Sequence, residues 1–188
     1  MVQLNGREVS REVIEACRAG DRDAFRTLYE IHKDRVYSIA FYFFNGNSEA
    51  AADVTQQVFL KLMTSISQFR GDADFSTWLY RLVVNTCVDS ARKHKPASDG
   101  PLETLAAPED HEGAYARTQT ANSVRAAVST LPPKFRIAVL LRYFDDLSYE
   151  QMAEALHCSM GTVASRLSRG HKLLAERLKA MAGGKGKS

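Results

Sequence analysis

Along most of this chain the apolar residues recur at three- and four-residue spacing, and no stretch shows the strict alternation of a half-buried strand. The pattern therefore predicts an all-α protein. A short amphipathic helix is expected over Glu8 to Arg18, with Val9, Val13, Ile14 and Cys17 on one face and Gly20 able to end it. Asp21 or Asp23 then starts a long helix in which Phe25, Leu28, Tyr29, His32, Val36, Ile39, Ala40 and Phe43 keep helical register for about six turns. So long a stripe demands an equally long partner surface. His32, lying on it, reads as a histidine at the edge of a core. The Asn-Gly-Asn run at 45–47 breaks this helix, and Ser48 begins another that buries Ala51, Val54, Val58, Phe59, Leu62 and Ile66 and leaves Asp53, Gln56, Gln57 and Lys61 outside.

Between Phe69 and Trp78 the sequence FRGDADFSTW forms a loop that is too aromatic for a mere connector, with a new cap at Asp74 or Ser76. Aromatic side chains in such a loop are either buried or used to stack on bases. The helix that follows turns Trp78, Leu79, Leu82, Val83 and Thr86 inward. It shows Arg81, Asn85, Arg92 and Lys93 on other faces and ends in a basic cluster with His94 and Lys95, which suits the helix dipole as well as it suits DNA. Residues 96–115 carry three prolines and five acids without periodicity, the composition of a flexible linker. A helical pattern resumes at Ala116 through Val124, Ala127, Val128 and Leu131. Pro133 can occupy the first turn of the next helix, whose apolar positions are Phe135, Ile137, Ala138, Leu141 and Phe144.

The last periodic stretch, Leu147 to Leu178, reads as two short helices joined by a tight turn. Ser148 and Gln151 have the spacing of a capping box, and Tyr149, Met152, Ala153 and Leu156 share a face. His157 and Cys158 interrupt, Ser159 offers a second cap, and a stripe of Val163, Leu167, Gly170 and Leu174 follows. Thr162, Ser165, Arg166, Ser168, Arg169 and Lys172 are left pointing outward. Small hydrogen-bonding and cationic groups on one helix face suit base edges and phosphates in a major groove, which makes this a helix-turn-helix; the plainer alternative is a helical hairpin with a solvated basic face.

Composition narrows the reading further. At 188 residues with 45% apolar content, the chain has room for one or two domains with real cores and is expected to be soluble and globular. It contains no long apolar span and no signal-peptide core, so membrane insertion and secretion are not indicated and the cytoplasm is the expected location. Cys17, Cys87 and Cys158 are far apart and lack ligand spacing, which argues against a disulfide framework or a zinc site, while a redox role for one of them stays open. No phosphate-loop or dinucleotide fingerprint, catalytic constellation or cofactor motif is present, so neither an enzyme nor a small-molecule substrate is expected. The net charge of +3 is unevenly placed. Residues 1–96 carry 13 Lys/Arg and 12 Asp/Glu, residues 97–133 carry 2 and 5, and residues 134–188 carry 10 and 5, so the helix-turn-helix end is the positive one.

Together these blocks resemble a bacterial sigma factor of the extracytoplasmic-function group, which has only the two domains called region 2 and region 4. DVTQQVFLK at 53–61 looks like that family's polymerase-binding segment, FRGDADFSTWLYRLVVNT at 69–86 like its promoter-melting segment, and LSYEQMAEALHCSMGTVASRLSRG at 147–170 like its minus-35 reader. The resemblance implies two all-α domains, residues 1–95 and 116–182, joined by the linker 96–115 and followed by a flexible tail 183–188. It implies core RNA polymerase, promoter DNA and an anti-sigma factor as partners, and it places polymerase binding on Asp53, Gln56, Gln57, Phe59 and Lys61. The family usually has an acid where Gln57 stands. For the minus-10 element it implies Phe69, Arg70, Asp72, Phe75, Ser76, Trp78, Arg81, Asn85, Arg92 and Lys93, with a base held by the loop and read by Asn85. For the minus-35 element it implies Thr162, Ala164, Ser165, Arg166, Ser168, Arg169 and Lys172. Family members often carry Lys or Arg in place of Ala164, so the preferred minus-35 sequence is expected to differ. Two rivals share parts of this pattern. A helix-turn-helix repressor leaves the aromatic loop unexplained, and a sigma-like decoy that binds only an anti-sigma factor has no need of Arg166, Arg169 and Lys172.

Overall fold

The computed structural model describes residues 9–71, 74–93 and 123–183, and among them every regular element is helical. Helix α1 spans Arg11–Arg18, α2 Arg22–Phe43, α3 Ser48–Ser65 and α4 Phe75–Lys93, with one 3-10 turn at Ile66–Gln68. Residues 123–129 form α5. Then come α6 (Pro133–Phe144), α7 (Tyr149–Ala155) and α8 (Met160–Gly183). The expected helix start at Glu8, together with Asp72, His94, Lys95, the 96–115 linker, the Ala116 restart and residues 184–188 of the tail, lies outside the described residues.

Local chemistry explains where these helices begin and end. The hydroxyl of Ser10 caps α1, two residues inside the expected start, and Gly20 follows its end at φ +87°, a left-handed conformation that glycine adopts without a Cβ penalty. The Asp21 carboxylate accepts from the amides of Asp23 and Ala24, which settles which aspartate opens α2. Asn45 and Gly46 both have positive φ, so the chain reverses between α2 and α3, and Asn47 rather than Ser48 supplies the cap of α3. Pro133 sits in the first turn of α6, where its missing amide costs nothing. The Ser148 and Gln151 side chains form the reciprocal capping box at the head of α7.

Packing places α2 against α1, α3, α4 and α6, and α6 against α7 and α8, while α7 rests on α4. The two helical groups thus touch rather than standing apart. This contact explains what periodicity alone missed. Tyr80, Val84 and Cys87 of α4 are buried in addition to Leu79, Val83 and Thr86, so more than one face of this helix is covered, and α7 is among the helices packed on it. Trp78 and Leu82, expected inside, are only half-buried. In α6 a continuous run from Ile137 to Leu141 is buried, whereas Phe144, expected in the core, is 41% exposed with its ring 4.5 Å from that of Tyr42. Tyr29 and Tyr149 likewise remain exposed. Gly170 has a packing reason to be glycine: a Cβ there would meet Val139 Cγ2 at 3.0 Å, so α6 and α8 approach closely at that point.

His32 is 5% exposed, its ring lies 5.8 Å from that of Phe75, and its Nε2 has no hydrogen-bond partner. Burial, aided by the nearby Arg35 cation, lowers its pKa from 6.5 to about 4. Between those values the unfolded chain binds a proton that the folded chain refuses, so folding stability should fall as pH drops from 6.5 towards about 4 and be insensitive to this group above that window. Thermal melts of the wild type and His32→Leu across this range should show the variant with the shallower loss. Parallel slopes would assign the acid sensitivity to other groups.

Candidate nucleic-acid and polymerase interfaces

The helix-turn-helix presents one uninterrupted polar face. Cys158 and Ser159 follow a tight turn in which His157 has φ 51°. The Ser159 hydroxyl accepts from the Thr162 amide at 3.2 Å and pairs with the Thr162 hydroxyl at 3.0 Å, while Ser165 Oγ donates to the Thr162 carbonyl at 2.9 Å. These bonds set the first turn of α8. Val163, Leu167 and Gly170 face inward, Ala164, Ser165, Ser168, Arg169 and Lys172 are exposed, and Thr162 and Arg166 are half-buried. Among the described residues no ion pair engages Arg166, Arg169 or Lys172. No acid precedes Glu176 along the helix, so the positive end of its dipole and its cations add in the same direction.

A second basic stripe runs along α4. At 3.6 residues per turn, Arg81, Asn85 and Arg92 lie within roughly 40° of one another and span about 17 Å, the length of several nucleotides of one strand. All three are exposed, as is Lys93, and among the described residues the one ion pair in the group, Arg92 with Asp89, is long at 3.8 Å. Asn85 is exposed without a hydrogen bond among the described residues, ten positions or about 15 Å along the helix from Phe75.

The loop itself is built on an aromatic cluster. Phe69 and Phe75 are 8% and 7% exposed, with ring centroids 5.5 Å apart, and Trp78 lies 5.5 Å and 5.9 Å from them respectively. The two phenylalanines thus hold the loop together, and the half-buried Trp78 retains more surface to offer a base. Gly71, at φ +80°, turns the chain between them. A cavity of about 790 Å³ opens beside this cluster, lined among others by Arg11 and Arg18 of α1, Arg70, Phe75, Ser76, and Gln151 of α7. Arg11 and Arg18 escaped the sequence reading because they lie on the polar side of a helix judged only by its apolar stripe.

On α3, Asp53, Gln56 and Gln57 are exposed. Lys61 departs from expectation: its ammonium donates to Thr86 Oγ1 at 3.1 Å and so ties α3 to α4. Phe59 is 8% exposed, with the Tyr29 ring 4.7 Å away in an edge contact, confirming it as chiefly a core residue. Leu60 and Met63 are 55% and 56% exposed and help line a shallow apolar groove of about 310 Å³ with Tyr29, Tyr37 and Phe59. Their signal in the sequence was an apolar residue off the buried stripe of α3, the mark of a contact surface rather than a core. The cysteines offer no reactive centre of comparable definition: burial raises the Cys17 thiol above its ordinary range and pushes Cys87 up to about 12, and all three are free.

Comparison with known proteins places the chain in a family. Sigma-70 region 2 matches residues 28–96, and sigma-70 region 4 matches residues 121–174. The extracytoplasmic-function (ECF) RNA polymerase sigma factor SigW of Bacillus subtilis is 31% identical over 186 residues, covering 88% of this chain and 95% of that protein. The chain belongs to the ECF sigma factors of the sigma-70 family. The RNA polymerase sigma-H factor of Pseudomonas aeruginosa is 31% identical over 93% of this chain and 96% of its own, and the ECF sigma-E factor of Escherichia coli is 30% identical over 86% and 90%. Two solved structures share the fold. CnrH, in complex with the cytosolic domain of CnrY, has a TM-score of 0.66 at 22% identity over 90% of this chain and 97% of its own. The sigma factor RpoE of Bartonella quintana, in complex with the anti-sigma factor NepR, has a TM-score of 0.66 at 20% identity over 82% and 96%. This sigma factor is a transcription initiation factor, and no helix among the described residues is long and apolar enough to cross a membrane.

The geometry of α8 yields a prediction. Arg169→Ala should weaken binding to a minus-35 duplex by ~1–3 kcal/mol, selectively for the preferred sequence. Lys172→Ala should lower affinity on all duplexes alike and reduce the salt slope by about one counterion. Competition binding at several salt concentrations separates the two effects, and an Arg169→Ala protein that binds every duplex like the wild type would show that another face of α8 reads DNA.

Proposed function

We propose that this sigma factor docks on core RNA polymerase through the outer face of α3, with Asp53, Gln56, Gln57 and the exposed Leu60 making the contact and Phe59 supporting it from beneath. The α4 stripe and the loop at Phe69 to Ser76 take the minus-10 element, and the α8 face from Thr162 to Lys172 takes the minus-35 element. Residues 1–95 and 116–182 act as the two functional units. The observation that carries this reading is the separation of chemistries: an acidic and apolar face on α3, and acid-poor basic faces on α4 and α8, each outward on its own helix. The polymerase performs the chemistry, so the chain needs no catalytic residue, metal or cofactor, and it works in the cytoplasm where the polymerase is.

An anti-sigma factor is the further partner we propose, since a protein of this fold, RpoE, is found in complex with the anti-sigma factor NepR. It would wedge between the two helical groups and cover the α3 face. Because those groups touch through α2 with α6 and α4 with α7, the wedge must first part them. A repressor or a decoy would do without transcription altogether. Run-off transcription with added core polymerase, with and without this chain, decides among the three, since only the initiation factor makes the signal depend on both.

Asn85 provides the finer test. Its exposed, unpartnered amide can offer a donor and an acceptor to one base edge. Permanganate-detected melting by holoenzyme carrying Asn85→Ala should be impaired most at one position of the minus-10 element, with little further loss when that base is already changed. An equal loss on all single-base promoter variants would reject base reading, and no loss would remove the α4 stripe from promoter opening.

A further inference from the structure

The cavity of about 790 Å³ beside the aromatic loop holds charged groups that the promoter reading does not use. They belong to α1, a helix with no role so far beyond packing. Ile14 and Cys17 are buried and seat α1 against α2 and the 3-10 turn that leads into Phe69. This seating determines where its polar flank lies. Arg11 and Arg18 are seven positions apart, so they fall within roughly 20° of each other and about 10 Å apart along the helix, and both line the cavity together with Arg70 of the loop.

The three cations are not equivalent. Glu15 takes Arg18 through both carboxylate oxygens at 3.1 Å, which leaves that pair neutral. Arg11 and Arg70 are exposed and engage no acid among the described residues, and beside Glu15 the one acid lining the cavity among those residues is Asp74. Two unpaired guanidinium groups against one carboxylate leave the cavity positive. The half-buried Ser76 adds a hydroxyl without a hydrogen bond among the described residues. A guanidinium not committed to a carboxylate is matched by the oxygens of a phosphate, and the volume lies in the range of sites that enclose small organic groups.

Position identifies the phosphate. The cavity includes Phe75 and Ser76, so it lies off the start of α4, the helix whose Arg81, Asn85 and Arg92 form the basic stripe. From Arg81 back to Ser76 is five residues, about 7–8 Å, or roughly two phosphates at the 3.4 Å spacing of one strand. A single strand that follows α4 past the loop therefore meets Arg11 and Arg70 next. We propose that α1 is part of the DNA interface, with Arg11 and Arg70 binding backbone phosphates of the nucleotides that continue beyond the segment held by the loop. The proposal rests on the minus-10 reading of α4 and the loop given above. Contacts of this kind add affinity and set the path of the strand without reading its sequence. Glu15 tempers the site, because its pairing keeps Arg18 from a phosphate.

Holoenzyme assembled from core polymerase and the full chain, titrated with labelled single strands, reads the site. Three strands are compared: the minus-10 element alone, and the element lengthened by four nucleotides at its 5′ end or at its 3′ end. Wild type should bind one of the lengthened strands about threefold to fivefold more tightly than the element alone. Arg11→Gln should lose that gain and bind the short strand as before, while Arg11→Lys, which keeps the charge, should retain most of it. Glu15→Gln frees Arg18, so it should enlarge the gain and steepen the salt slope on the lengthened strand by about 0.7. An effect of that sign cannot come from a misfolded helix. Lengthening that brings no gain at either end overturns the role of α1, as does a gain that Arg11→Gln leaves intact. A gain that depends on which bases are added overturns the backbone assignment. If a free nucleoside monophosphate removes the gain as fully as Arg11→Gln does, the occupant is the free nucleotide and the strand is overturned. Holoenzyme that binds none of the three strands rejects the minus-10 reading itself, and the proposal falls with it.

Discussion

The burial of α2 is the constraint from which the rest of the molecule follows. Leu28, His32, Val36, Ile39, Ala40 and Phe43 lie on one helical stripe and all are essentially removed from water, each large apolar side chain contributing ~1.5–3 kcal/mol by area. Because the helix that carries the stripe is 22 residues long, it accommodates α1, α3, α4 and α6 together. A helix packed on such a spine has its azimuth determined, and with it the identity of the side chains it leaves outside. The α3 face with Asp53 and Gln56 and the α4 face with Arg81 and Asn85 are therefore consequences of which residues α2 buries, not independent features.

Much of this was legible in the sequence because it is local. The capping box of Ser148 and Gln151, the cap by Asp21, the stop at Asn45–Asn47 and the inward Val163, Leu167 and Gly170 each depend on residues within one turn of each other. What escaped depends on a second surface. Tyr80, Val84 and Cys87 are buried because α4 packs against helices distant in the chain, α7 some seventy positions away among them, and no periodicity within α4 announces that. Lys61 was counted outside for the same reason, since only the approach of α4 brings Thr86 within reach of its ammonium. Phe69 and Phe75 were read as surfaces for a base because aromatics in a loop permit burial or stacking; their mutual packing selects burial and leaves Trp78 the more accessible ring.

The candidate sites show the same division. The outward residues of α8 could be read from the helix register alone: among the described residues Arg166, Arg169 and Lys172 have no ion pair, while Thr162 and Ser165 bond within the first turn of the helix. Leu60 and Met63 were missed because a pattern search rewards apolar residues that fit a stripe and passes over those that do not. Exposed apolar side chains off the stripe, beside Asp53 and Gln56, are what a helix shows when a partner rather than its own domain completes its surface.

The distribution of unsatisfied polar atoms argues that the junction between the helical groups differs in kind from the cores on either side. Among the described residues three buried side-chain atoms lack a hydrogen bond: His32 Nε2, Arg136 Nε and Asp145 Oδ2. The first lies inside the α2 spine and the other two lie on the junction. An unsatisfied buried polar group forfeits about 1–3 kcal/mol, so each orphan offsets much of what its paired neighbours contribute. The cores of the two groups are lined by Leu, Ile, Val and Phe, whereas the junction also encloses two charged side chains, Arg136 and Asp145. The apolar cluster nevertheless runs from one group into the other without a break, so the junction adds buried charge to continuous apolar packing.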